Sequence, residues 1–217
     1  MTIEKTTLLY AYDAFCGWCY GFSPVMKQLK EEFGDQIDFQ VLSGGMVMGD
    51  RVGPVGERFA FIKDGMGRVE ELTGVKFGQA FMDMFEDGTT EFNSEPPSIA
   101  LTVFKTYRPN DGVEFAHALQ SAVYEHGKDL TQPEVYAELA ESFGLDGVEF
   151  VQKMGSEEMV KKTYEEFQLV QQLGINGFPA VIMIKDAQGY LLSRGYQPIE
   201  PIRQNIEKVL AGPAPVQ

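Results

Sequence analysis

Hydrophobic and polar positions along the chain alternate between two periods, and the changes of period mark out the elements. Thr7-Leu8-Leu9-Tyr10-Ala11-Tyr12 is a strand-like run that ends at Asp13. From Cys16 to Phe33 the apolar residues Trp18, Phe22, Val25, Met26, Leu29 and Phe33 recur at three- and four-residue spacings, which predicts a helix stopped by Gly34. Ile37 to Leu42 alternates and predicts a second strand. The opening is therefore β-α-β, and a right-handed crossover to a parallel neighbour follows if both strands share a sheet.

After Leu42 the texture changes. Ser43 to Gly56 carries Gly44, Gly45, Gly49, Gly53 and Gly56 along with Pro54, which punctuate against regular structure. The segment has neither a Gly-Lys-Ser/Thr ending nor a G-x-G-x-x-G pattern, so a connecting loop is expected rather than a phosphate cradle. Glu57 to Leu173 is mostly helical by period. Ser94 precedes Glu95-Pro96-Pro97 at one start, and Pro109 follows that helix. Further helices are expected from Gly112 to Glu125, from Thr131-Pro133 to Gly144, and from Ser156 to Gly174.

A β-pattern then returns. Ala180 to Ile184 is an unbroken apolar run, as a strand covered on both faces requires. Asp186-Ala187-Gln188-Gly189 is turn chemistry, and Tyr190 to Arg194 continues as the partner strand of a hairpin. Glu200 to Leu210 is a last amphipathic helix before an Ala211–Gln217 tail expected to fray. Strands thus sit at both ends and helices in the middle. Removing residues 46–164 leaves 98 residues, the size of one compact domain. The expected organisation is a discontinuous α/β domain (1–45 and 165–217) carrying an inserted helical domain (46–164).

Composition narrows the function classes. The 217 residues hold 18 Lys and Arg against 32 Asp and Glu, a net charge of −14, with no basic cluster beyond Lys161-Lys162. Nucleic-acid phosphates repel such a surface. No apolar run approaches the ~18 residues a membrane helix needs. Met1 to Lys5 lacks a basic leader region, and the apolar stretch from Leu8 to Ala11 is too short for an export signal, so a cytoplasmic location is expected. Only two cysteines are present, too few for a disulfide scaffold. In a reducing compartment such a pair points to catalysis or redox chemistry.

Those two form Cys16-Gly17-Trp18-Cys19, where the first strand gives way to the first helix. A sulfur there faces free backbone N–H groups and the positive end of the helix dipole, which favours the thiolate. One helical turn brings Cys19 within reach of Cys16. Cys16, at the outer position, is the expected nucleophile, and Cys19, partly buried, the resolving thiol. Two alternatives stay open. A zinc site would need two more ligands, and His117 and His126 are not at finger spacing. Two inert core thiols are the other.

The C-x-x-C at the first strand–helix junction, with a helical insertion after the second strand, resembles the DsbA-like branch of the thioredoxin superfamily. Gly177-Phe178-Pro179-Ala180 before the third strand resembles its proline loop, and Ser193-Arg194-Gly195-Tyr196-Gln197-Pro198 its closing glycine motif. Asp13 and Phe92-Asn93-Ser94-Glu95-Pro96 are similar to the cytoplasmic FrnE-like members.

The resemblance implies an α/β thioredoxin fold with an inserted all-helical domain and thiol–disulfide oxidoreductase or isomerase activity. It implies that Pro179 is cis and holds a substrate strand beside the cysteines, with the Phe178 backbone groups free to bond it and metal kept off the thiols. No cofactor is expected beyond a redox-active Cys16–Cys19 disulfide. The expected partners are protein or small-molecule thiols and disulfides, glutathione among the candidates. Neither nucleic acid nor membrane is expected.

The sequence departs from the family's periplasmic oxidant between the cysteines, where Gly17-Trp18 stands in place of Pro-His. That predicts a milder thiolate and a more reducing couple. Asp13 is either a strand-end turn former or a proton acceptor for Cys19. Trp18, the only tryptophan, is either a substrate contact or a packing residue. His117 is expected partly buried, and Met46 and Met48 offer either core filling or an adaptable peptide-binding surface. Glutathione-dependent kappa-type transferases and hydroxychromene-carboxylate isomerases share the expected architecture, but with a serine in place of the cysteine pair. A non-catalytic holdase is the third class.

Overall fold

A computed structural model describes residues 6–58 and 61–212. The readings of Met1–Lys5 and of the tail beyond Gly212 lie outside the described residues. β1 (Thr7–Tyr12), α1 (Gly17–Phe33) and β2 (Asp38–Ser43) form the expected unit, with the two strands parallel, Thr7 opposite Asp38 and Tyr12 opposite Ser43. A short 3-10 turn at Gly49–Arg51 leads into β3 (Gly53–Pro54). There follow α2 (Val55–Arg58), α3 (Phe61–Thr73), α4 (Gln79–Asp87), β4 (Glu91–Phe92), α5 (Glu95–Tyr107), α6 (Gly112–Tyr124), α7 (Pro133–Ser142), α8 (Gly147–Met154) and α9 (Glu157–Gln172). β5 (Ala180–Lys185), β6 (Gln188–Arg194) and α10 (Ile199–Ala211) complete the chain.

The main sheet has the order β2-β1-β5-β6, with β5 antiparallel to both β1 and β6. β1 is thus central, and its residues are divided by the pleat. Leu8, Tyr10 and Tyr12 pack with Phe39, Val41, Val181 and Met183 into the large core shared with α1, α5, α6 and α10. Leu9 and Ala11 lie in a smaller cluster with Leu42, Ala180 and Val170 of α9. Both faces are covered, which is why the strand sequences read as nearly continuous apolar runs.

α1 crosses the core with a proline inside it, and the sequence supplies a repair. Pro24 has no N–H to give the carbonyl of Tyr20. The Ser23 hydroxyl donates to that carbonyl instead, at 2.9 Å. Gly21 lets α3 approach closely, since a Cβ there would lie 2.7 Å from the methyl of Thr73.

The helical middle differs from the expectation in three places. Gly53–Pro54 pairs antiparallel with Glu91–Phe92, so the insertion is not purely helical. That ribbon is too short to carry a periodic signal. α8, between Gly144 and Ser156, was not anticipated; its Asp146 cap accepts from the Glu149 N–H at 2.9 Å. α9 runs unbroken across the expected junction at residues 164–165.

The hairpin also turns earlier than expected. Asp186 and Ala187 adopt φ of 52° and 58°, and β6 begins at Gln188. This is the backbone of a two-residue primed turn, made here without glycine. Between β2 and the helices, the Lys105 ammonium bonds the Val41 carbonyl at 2.9 Å and pairs with Glu166 of α9. The second Glu166 oxygen accepts the Ser43 N–H at 3.3 Å. Strand β2 is thereby tied to α5 and α9 at the end nearest the cysteines.

Candidate active site

Cys16 is the N-cap of α1, with extended backbone at φ −91° and ψ 106°. Its sulfur accepts the Cys19 N–H at 3.4 Å, one of the donors a helix start leaves unpaired. Both cysteines are free thiols. Cys16 is 6% exposed and Cys19 fully buried, which corrects the expectation of a partly buried resolving thiol. The cause is the core above the first turn of α1, which closes over Cys19 and leaves only Cys16 an edge toward solvent. Burial pushes the Cys19 thiol well above its ordinary range, and Cys16 beside it adds to the rise.

The proline loop faces this pair. The Phe178–Pro179 peptide is cis. The Cys16 thiol lies 3.5 Å from the Phe178 carbonyl, to which it donates. That carbonyl therefore takes one hydrogen bond from Cys16 in the dithiol and keeps its second lone pair. The loop is held from behind by the closing motif, where the Gly195 N–H donates to the Pro179 carbonyl at 2.7 Å with Gly195 at φ +83°. From the front, the Phe178 ring lies over Gly44. A Cβ on Gly44 would meet the ring at 2.0 Å, so the side chain packs against the β2 loop.

Asp13 joins three segments. Its Oδ1 accepts the Phe15 N–H at 3.0 Å and the Ser94 hydroxyl at 2.8 Å, and its Oδ2 accepts the Met46 N–H at 2.7 Å. Its backbone carbonyl accepts from Gln120 Nε2 at 3.2 Å and from the Cys16 N–H at 3.2 Å. The carboxylate thus spends its oxygens on the loop after β2 and on the start of α5, with its charge close to Cys19. Burial holds its carboxyl above the usual carboxylate range, against the pull of those donors and of Arg51.

Ser94, expected as a helix start and as part of the Phe92–Pro96 motif, holds Asp13 with its hydroxyl and also accepts the Val47 N–H at 2.9 Å. Asn93 takes over at the start of α5, its Oδ1 accepting the Glu95 N–H at 3.0 Å.

Trp18 is half-buried, its ring 6.2 Å from that of Tyr196, whose hydroxyl donates to the Leu72 carbonyl at 3.0 Å. The closing motif therefore supplies both a backbone brace and an aromatic neighbour for the C-x-x-C dipeptide. His117 is 3.0 Å from the Ser23 hydroxyl. That hydroxyl gives its proton to Tyr20, so His117 Nδ1–H is the donor, and Ser23 is not primed as a nucleophile. Among the described residues no three His, Cys, Asp or Glu side chains gather as a metal would require, and no helix is long and apolar enough to cross a membrane.

The sheet order, the helices between β2 and β5, and a cysteine pair faced by a cis-proline loop define a DsbA-like thioredoxin fold. The chain belongs to the DSBA-like thioredoxin domain family, whose profile matches residues 7–207. Among solved structures it is similar to a provisionally assigned protein disulfide isomerase from Nitrosomonas europaea, at 29% identity over 96% of this chain and 98% of that one, with a TM-score of 0.83. It is also similar to the cytosolic disulfide reductase DsbM from Pseudomonas aeruginosa, at 29% identity, 94% and 98% coverage and a TM-score of 0.81. A further DsbM structure, with glutathione, superposes at a TM-score of 0.79 with 28% identity over 94% of this chain and 99% of that one. A curated relative is the ClpXP adapter protein SpxH of Halalkalibacterium halodurans, 22% identical over 84% of this chain. The chain spans only 60% of that adapter's length.

Proposed function

We propose that this protein is a cytoplasmic thiol–disulfide oxidoreductase that works in the reducing or isomerising direction through Cys16 and Cys19, with glutathione as its small-molecule thiol. The observation that carries this reading is the Cys16 sulfur at 3.5 Å from the carbonyl before cis-Pro179, at the only solvent-facing edge of the pair. The Cys16 thiolate attacks a substrate disulfide, forming a mixed disulfide and releasing one substrate thiol. The Cys19 thiolate then attacks the Cys16 sulfur, which forms the Cys16–Cys19 disulfide and releases the second thiol. Two glutathione molecules restore the dithiol and leave as glutathione disulfide. The likeness to DsbM, cytosolic and solved with glutathione, supports both the direction and the thiol. Protein disulfides are the companion substrate class.

Pro179 and the backbone of Phe178 form the ledge on which the substrate strand lies once the Cys16 sulfur leaves the carbonyl for the mixed disulfide. Trp18 flanks the entrance. Glutathione-dependent reduction of a model disulfide tests the assignment. Cys16→Ser should abolish it, and Cys19→Ser should trap glutathione on Cys16 as a stable mixed disulfide. Exchange that survives Cys16→Ser refutes the reading.

A further inference from the structure

Folded proteins seldom leave buried polar atoms without a partner, and those that do mark places to look for chemistry. Among the described residues, Tyr10 Oη, Ser43 Oγ, Gln120 Oε1 and Tyr124 Oη are buried side-chain atoms with no hydrogen-bond partner in the protein. The Tyr10 hydroxyl is the telling one. β1 directs Tyr10 into the core shared with α1, where its ring lies 5.9 Å from Phe22, one turn beyond Cys19. Among its titratable neighbours Cys19 acts on that hydroxyl most strongly, yet no hydrogen bond joins the two in the dithiol. A neutral thiol is a weak acceptor and does not draw the hydroxyl in. A thiolate is a strong one, and charge-assisted bonds shorten.

We infer that Tyr10 is the hydrogen-bond donor that stabilises Cys19 as a thiolate during resolution of the mixed disulfide, an inference that rests on the oxidoreductase reading. Cys19–SH loses its proton, the Cys19 sulfur attacks Cys16, the Cys16–substrate bond breaks, and the departing substrate thiolate takes up a proton. Tyr10 stays neutral throughout. Burial above all, and then Cys19 and Cys16 nearby, keep its hydroxyl protonated well beyond the ordinary tyrosine range. The need is severe because Cys19 is sealed from water. The other titratable groups facing that sulfur are Cys16, Tyr12 and Asp13, with Tyr124 from α6. Asp13 has both carboxylate oxygens engaged with other donors, and Tyr124 feels Cys16 and Asp13 ahead of Cys19, whereas for Tyr10 Cys19 comes first.

The test is single-turnover reaction of the reduced protein with glutathione disulfide, quenched in acid, alkylated and resolved by mass. Tyr10→Phe should lengthen the lifetime of the Cys16–glutathione mixed disulfide about tenfold, the size of losing one hydrogen bond to a charged group. It should also move the pH profile of resolution upward. Attack by Cys16, measured in a Cys19→Ser background, should not change. Thermal unfolding of Tyr10→Phe at or above the wild-type temperature shows that the effect is not misfolding, since the lost hydroxyl had no partner. A wild-type lifetime and pH profile in Tyr10→Phe overturns the inference alone, as does an equal slowing by Tyr124→Phe. A wild-type protein that forms no mixed disulfide overturns the oxidoreductase reading as well.

Discussion

Adding one methyl group at Gly44 is the sharpest perturbation the site offers. A Cβ there would sit 2.0, 2.3 and 2.7 Å from three carbons of the Phe178 ring, distances no packed pair tolerates. The backbone of Gly44 lies outside the left-handed region, so alanine is barred by the ring and not by its own conformation. Phe178 must swing away, giving up its packing between the two core clusters. Overpacking of this kind costs about 1–3 kcal/mol. For a chain of this length that is a fall of about 2–4 °C in Tm per kcal/mol.

A double-mutant cycle isolates the cause. In a Phe178→Ala background the obstacle is gone, and Gly44→Ala should turn neutral or stabilising by about 0.4–1 kcal/mol, because alanine restricts the unfolded chain. Urea unfolding of the four proteins reads the cycle. Equal destabilisation by Gly44→Ala in both backgrounds would refute the reasoning.

Removing the Asp13 carboxylate should be far more damaging than removing Ser94's hydroxyl. Asp13→Ala strands the buried N–H of Phe15 and the half-buried N–H of Met46, at about 1–3 kcal/mol for a fully buried group, measurable by the same unfolding curves. Asp13 also carries a pH signature. Its folded pKa is raised above the ordinary 3.8, so its contribution is fully present below that value and lost as pH rises through the folded pKa. Asp13→Asn should flatten that part of the stability–pH curve. His117 acts with the opposite sense, since burial and then Lys27 lower its pKa from 6.5. Its contribution is present above 6.5 and lost as pH falls through the folded pKa, and His117→Gln should remove that loss. The Gly17-Trp18 dipeptide predicts a couple nearer thioredoxin's potential of about −270 mV than the periplasmic oxidant's of about −120 mV, as read by equilibration with glutathione buffers.

Where a signal was periodic, the sequence carried it. β1, α1, β2 and β5 were legible because both faces of the sheet are covered and the helix between them keeps a regular apolar stripe. The cysteine pair, the proline loop and the glycine of the closing motif were legible as local motifs. The Asp13–Ser94 bond was not, because its partners lie 81 residues apart and each had an adequate local explanation. The β3–β4 ribbon contributes two residues per strand, below any detectable period. The hairpin was placed late because Gly189 offered the expected turn residue while Asp186 and Ala187 made the turn. Tyr10 read as one more strand aromatic, since nothing local reveals that its hydroxyl ends unpartnered in the core that holds Cys19.

The central position of β1 has a consequence for synthesis. The sulfur of Cys16 meets the carbonyl of Phe178 across 162 residues, and the brace from Gly195 comes later still. A nascent chain therefore displays its two thiols through most of translation, before the cis-proline loop that faces them exists. Closing so long a loop is slow. The cysteine pair acquires its facing loop only when the last strand docks, so ordering of the C-terminal quarter sets the moment at which the geometry of the site is complete.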